Sequence, residues 1–142
     1  MTRPIASAVL SVCAIVFLQC AMPEKSAAVK PVDYWVQVND EAFVVRLVTP
    51  EQIAHADARI AGTESQHTIS GKLIDGDGGF NTDPSRNKKW SWHLAPESVS
   101  FPQITMELCD GRPSDVEGNK THWINDVHMY CPWAAKFIRK MP

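Results

Sequence analysis

The chain has 142 residues, a formal net charge of -2, 44% hydrophobic and 21% charged residues. Lys and Arg form no block, which argues against a nucleic-acid partner, since phosphate backbones demand a concentrated basic surface. The length suits one domain around one core once a leader is removed.

That leader is the first predicted element. Arg3 supplies a short positive region, and Ile5 to Leu18 is almost wholly apolar. A run of about 14 such residues matches a signal-peptide core and is short for a bilayer span. We expect a signal peptide over residues 1–21, with cleavage after Ala21 or as late as Ala28, and a secreted product. Anchoring as a lipoprotein through Cys20 is the rival reading, but Phe17-Leu18-Gln19 lacks the small residue expected before the cysteine. No later segment is apolar for long enough to span a membrane. Residues 22–33, with Pro23 and Pro31, read as a linker. Residues 34–142 read as a single α+β domain.

From Tyr34 the pattern is β-rich. Tyr34 to Val38 and Ala42 to Val48 flank the polar Asn39-Asp40 and predict a hairpin. Thr49-Pro50-Glu51-Gln52 then announces a helix: Thr as cap, Pro at the first position, acid and amide in the first turn. Ile53 to Ile60 sustains it and Gly62 stops it. His55 and Arg59, one turn apart, read as its solvated face. His67 to Ile74 predicts a third strand. Trp90 to Leu94 predicts a fourth, with Trp90, Trp92 and Leu94 on one face and Ser91 and His93 on the other. Val99 to Phe101 and Ile104 to Cys109 add strand, and Ser114 to Glu117 a short helix. The fold class expected is α+β: an antiparallel sheet of about five to six strands, one main helix packed on it, and a disulfide-linked C-terminal segment.

Between the third and fourth strands runs Asp75-Gly76-Asp77-Gly78-Gly79, which opens like a calcium loop. An EF loop needs oxygen ligands at positions one, three, five and twelve and glycine at six. Here those positions fall on Asp75, Asp77, Gly79 and Arg86, with Phe80 at six. We therefore read the segment as a polar, mobile connection whose glycines supply backbone freedom, open to a partner but not a metal centre.

With Cys13 and Cys20 in the leader, an exported chain keeps Cys109 and Cys131, which most simply form one disulfide. A closed loop of about 20 residues is worth roughly 3 kcal/mol in chain-entropy models. A catalytic thiol or a zinc site is the weaker alternative, because neither cysteine lies in a nucleophile motif or in CxxC spacing. His93 and Asp110 are the candidate pair for a small hydrolase, though no serine lies in a nucleophile elbow. His122 and His128, six apart, do not share a helical face. Asn119-Lys120-Thr121 is a glycosylation sequon inside the presumed disulfide loop. Trp133 to Met141 predicts a basic amphipathic helix. Trp133, Lys136, Phe137, Arg139 and Lys140 are its candidate binding residues, unless the apolar face packs on the sheet. Of five tryptophans, most belong in the core, and one or two exposed rings would mark a binding face.

Three stretches together carry a resemblance: Trp90-Ser91-Trp92-His93-Leu94, Glu107-Leu108-Cys109-Asp110 and Cys131-Pro132-Trp133. Their order resembles a family of small secreted domains often labelled calmodulin-binding, the amino-terminal domain of a binding protein named for its seventy-four. The resemblance runs from about Tyr34 to Arg139. An acidic residue often follows the His-Leu pair in such proteins, whereas Ala95-Pro96-Glu97 follows here. It implies an exported, disulfide-linked single domain without assigned catalytic residues or cofactor. Calmodulin is a partner only by that label, since an exported domain does not meet a cytosolic protein. The expectation is a secreted, non-enzymatic module binding an extracellular protein or surface. The alternatives are a protease inhibitor presenting a preorganised loop, or the His93–Asp110 hydrolase.

Overall fold

The computed structural model describes residues 29–64 and 68–142. The expected signal segment and most of the linker lie outside the described residues. Strand β1, Val32–Val38, begins ahead of the expected boundary at Tyr34, because Asp33 pairs across the hairpin with Arg46. Its carboxylate accepts two charge-assisted bonds from that guanidinium, at 2.7 and 2.8 Å. Strand β2 is Glu41–Leu47, and the turn between them places Asn39 at φ 54, a left-handed conformation that Asn tolerates. Tyr34, Val36 and Val38 alternate into the core, as do Phe43, Val45 and Leu47.

Helix α1, Pro50–Ile60, starts as its sequence announces. Thr49 and Gln52 form a reciprocal capping box, and Gln52 is itself buried. Its Oε1 accepts from the Val48 and Thr49 N–H groups, and its Nε2 donates to the Pro96 and Val99 carbonyls at 2.9 and 2.8 Å. One amide thus caps the helix and ties it to the chain some forty residues on. Arg59 overturns its expected place on a solvated face. It is 2% exposed, with its guanidinium 4.3 Å from the Phe101 ring centroid and 3.2 Å from Glu64. A long stem and a planar, weakly hydrated head suit Arg to such burial. His55, one turn away, stays exposed and meets Glu64.

The next strand, β3, covers Gly71–Asp75. After it come the short ladder strands β4, Thr82–Asp83, and β5, Lys88–Lys89, and then β6, Trp92–Leu94. Helix α2 spans Pro113–Gly118, a further helical stretch runs from Lys120 to Val127, and β7, Met129–Tyr130, and β8, Ala135–Lys140, complete the chain. The fold class is α+β with antiparallel pairing, but the single sheet expected is divided. Its strands form the ladders β2-β1-β8, β6-β3-β7 and β4-β5. Aromatic rings join the two three-stranded sheets: Phe43 of β2 lies 5.8 Å from Trp92 and 5.6 Å from Tyr130. Trp90, Trp92, Tyr34 and Tyr130 are the largest fully buried side chains. Three tryptophans (90, 92 and 123) are therefore core, Trp35 is half-buried and Trp133 is exposed.

Two expected elements are replaced. Ile104 to Cys109 is not a strand but an unpaired connection ending in a single 3-10 turn, Glu107–Cys109. Its apolar alternation mimics a strand, yet no neighbour offers it a ladder. Val99 to Phe101 makes only one bridge, Ser70 to Ser100. The C-terminal helix is also overturned, since residues 135–140 form β8, antiparallel to β1 with a bulge opposite Trp35 and Val36. So short a terminal segment gains little from isolated helix formation. Pairing with β1 satisfies its backbone and inserts Phe137 against Tyr34 and Phe101, 5.8 and 5.6 Å between ring centroids. Among the described residues no helix is long and apolar enough to cross a membrane.

Candidate functional site

The glycine-rich connection between β3 and β6 is pinned, not mobile. Asn81 and Asp83 are both 0% exposed. The Asn81 Oδ1 accepts from the Val44 N–H at 3.0 Å, and its Nδ2 donates to the Trp92 carbonyl at 2.7 Å. Asp83 Oδ2 accepts from the Ala42 N–H at 3.2 Å, while the Trp90 indole donates to the Ala42 carbonyl at 2.9 Å. These side chains do for the edge of β2 what a neighbouring strand would do. Arg86 closes the arrangement with Asp40 and Glu41, and the Arg46 guanidinium stacks 4.4 Å from the Phe80 ring centroid.

The two aspartates that prompt the calcium comparison have protein partners. Asp75 meets the Lys120 ammonium at 2.5 Å, which holds its carboxyl below the usual carboxylate range. Asp77 accepts the Gly79 N–H at 2.9 Å, and that bond lowers its carboxyl likewise. Gly78 sits at φ 61, where a Cβ would lie 2.7 Å from the Phe80 ring and 3.0 Å from His93, so glycine is required there on two counts. Among the described residues no cluster of three or more His, Cys, Asp or Glu side chains is arranged to hold a metal ion.

His93 and Asp110 are not brought together as a pair. The His93 Nδ1 is bonded to the Gly76 carbonyl at 2.7 Å, with Phe80 edge-on at 5.5 Å. Asp110 Oδ1 accepts from the Gly111 and Trp133 N–H groups at 2.9 and 2.8 Å. Both side chains fix loop backbone. His122 pairs with Asp126 and His128 with the Ile124 carbonyl. Asn119 is exposed where α2 gives way to the following helical turn, so the sequon is sterically open.

The feature that stands apart surrounds the disulfide. Cys109 and Cys131 are bonded, their Cα atoms 5.1 Å apart, and both are buried. The Cys131 N–H donates to the Cys109 carbonyl at 2.7 Å, and the Tyr130 hydroxyl to the Gly111 carbonyl at 3.0 Å. Asp110, by holding the Trp133 N–H, fixes where the chain emerges past the bridge. Around this anchored base the connection turns apolar side chains outward. Ile104 is 89% exposed, Met106 66%, Leu108 63% and Trp133 52%. Met106 has extended backbone, φ -84 and ψ 143. In a domain that buries its other tryptophans wholly or partly, four large apolar side chains left in water on segments joined by one disulfide mark an interaction surface.

Sequence reasoning reaches Trp133 but assigns Ile104, Met106 and Leu108 to a buried strand. Their period-two spacing is the available signal, and it is the spacing an extended, unpaired segment also has. Of the other C-terminal candidates, Phe137 faces the core and is unavailable to a partner. Lys136 and Arg139 are exposed and stand opposite Gln37 and Trp35 of β1, with the Arg139 guanidinium 5.2 Å from the Trp35 ring centroid. Lys140 pairs with Asp57 at 2.8 Å. The recesses elsewhere are open and shallow; one of about 360 Å³ is lined by Glu51, His55, Glu97 and Phe101.

No curated protein and no solved structure gives a significant match to this chain. A family model does match, that of the binding-protein-seventy-four N-terminal domain, over residues 30–142, which takes in every element from β1 to β8. The chain belongs to this N-terminal domain family.

Proposed function

We propose that this protein is an exported, non-enzymatic binding module that engages an extracellular protein through the apolar surface around Cys109–Cys131. The observation carrying this reading is the outward projection of Ile104, Met106, Leu108 and Trp133 from a base fixed by a disulfide and by Asp110. Apolar and aromatic side chains of this kind supply most of the energy at protein interfaces, and a pre-fixed backbone reduces the ordering cost of association. Glu107, between Met106 and Leu108 and exposed, favours a protein over a lipid surface, since a carboxylate at that point opposes insertion into hydrocarbon. Export rests on the leader-like run before Leu18 and on a bridge that persists in oxidising compartments. The test is comparative capture from the host's extracellular fluid with the protein and its Met106→Ser/Leu108→Ser variant. A partner retained by the parent and lost by the folded variant supports the reading; equal retention sinks it.

The protease-inhibitor reading is favoured by one further observation: Met106 holds extended backbone at the exposed part of a disulfide-anchored connection. The inhibitory segment is then 103–108 and not the pinned glycine-rich loop. Stoichiometric inhibition of an endopeptidase with apolar specificity, without cleavage at 103–108, is the expected result. Rapid cutting there without inhibition would rule it out.

A further inference from the structure

The two edges of the β2-β1-β8 sheet are finished differently. On β2 the N–H groups of Ala42 and Val44 and the carbonyl of Ala42 are all taken, by Asp83, Asn81 and Trp90. β8 pairs with β1 alone. Among the described residues no other element bonds to the backbone of Ala135–Lys140. Its side chains are exposed at Lys136, Ile138, Arg139 and Lys140, and Ile138, at the bulge, is 42% exposed. Lys140 is matched by Asp57, whereas Lys136 and Arg139 form no ion pair among the described residues. Both stand on the outer face, opposite Gln37 and Trp35.

An unpaired edge is a template for another strand, and its charges decide which strand. A second copy pairing edge to edge would set Lys and Arg against Lys and Arg, which is unfavourable across a ladder. A strand that places carboxylates opposite Lys136 and Arg139 meets complementary charge at each such position. We infer that β8 accepts an acidic, extended segment of a partner protein as an added antiparallel or parallel strand, with carboxylates on alternate residues. This rests on the reading of the domain as a binding module, but uses an edge separate from Met106 and Leu108. The same basic residues that deter self-pairing then select the partner.

The probe is a capped synthetic peptide repeating Glu-Val over about ten residues, the length of a long strand, with a Lys-Val repeat as control. Binding to the protein is read by titration, and amide hydrogen exchange is followed residue by residue. The expected result is saturable binding of the Glu-Val peptide with slowed exchange confined to residues 135–140 and β1. The Lys136→Glu/Arg139→Glu variant, at exposed positions that leave the fold intact, loses at least about tenfold in affinity. Met106→Ser/Leu108→Ser leaves peptide binding unchanged. Absence of binding, binding without slowed exchange at β8, or equal affinity for the Lys-Val peptide overturns the inference. Should the apolar variant lose its natural partner while the Glu-Val peptide fails to bind, the edge proposal falls and the binding-module reading stands.

Discussion

Two long connections in this protein invert what their compositions suggest. The one from Asp75 to Lys89 is polar and glycine-rich, yet it buries Asn81 and Asp83 completely. The one from Pro102 to Leu108 is rich in apolar residues, yet Ile104, Met106 and Leu108 stand in solvent. The difference lies in what each backbone has beside it. The polar connection runs along β2, whose edge N–H groups need acceptors, and an amide or carboxylate supplies them at a cost in desolvation that those bonds offset. The apolar connection has no edge to serve and no cavity to fill, and is held only at its end by the disulfide. Polar residues can therefore be structural where unsatisfied backbone recruits them. Apolar residues can be functional where nothing in the domain covers them.

The sharpest way to break that contrast is Asn81→Ala. It leaves the Val44 N–H and the Trp92 carbonyl buried without partners, and should cost about 4 kcal/mol. Urea unfolding measures it, and a loss below about 1 kcal/mol would mean that the connection is not holding the edge. Replacing Cys109 and Cys131 by Ser follows, with an expected loss of roughly 3 kcal/mol for this loop size. It should leave exchange in the 75–89 segment nearly unchanged while loosening 102–110.

Acid should expose a smaller effect concentrated on the polar side. Asp40, Asp75 and Asp77 hold depressed carboxyls, through the Asp40 N–H and Arg86, through Lys120, and through the Gly79 N–H respectively. At Asp57 desolvation pushes upward but is outweighed by bonds from Lys140 and Tyr34. Folded values below the unfolded ones mean that this stabilisation is full at neutral pH and is lost as pH falls through the folded values, below about pH 4. A denaturation midpoint that is flat from pH 7 to 5 and then declines would agree; a midpoint falling already near pH 6 would point instead to histidine. The smallest change in stability is expected from Met106→Ser/Leu108→Ser, within about 0.5 kcal/mol, although it should remove most binding.

What the sequence makes legible follows the same division. The hairpin, the Thr49–Gln52 start of α1, the tryptophan face at 90, 92 and 94, and the single disulfide are all readable, because each depends on chemistry within a few residues or on one obvious pairing. Arg59 escapes such reading because its place depends on Phe101, far along the chain. The end of the chain reads as a helix because apolar residues at 133, 137, 138 and 141 fit that period as well as a bulged strand. Nothing near 135–140 announces that β1 lacks a second neighbour. The site is half legible: Trp133, Lys136, Arg139 and Lys140 stand out in the sequence, but the exposure of Met106 and Leu108 depends on the absence of a partner strand, which spacing does not encode.

The most direct test of the central claim places a photo-crosslinking residue at Leu108 and, as control, at Lys88 on the pinned connection, and exposes each protein to the host's extracellular fluid. The account predicts a discrete crosslinked product from position 108, competed away by unlabelled protein, and none from position 88. Equal products from both positions, or a product from position 88 alone, would contradict the assignment of the interaction surface to the disulfide-anchored connection.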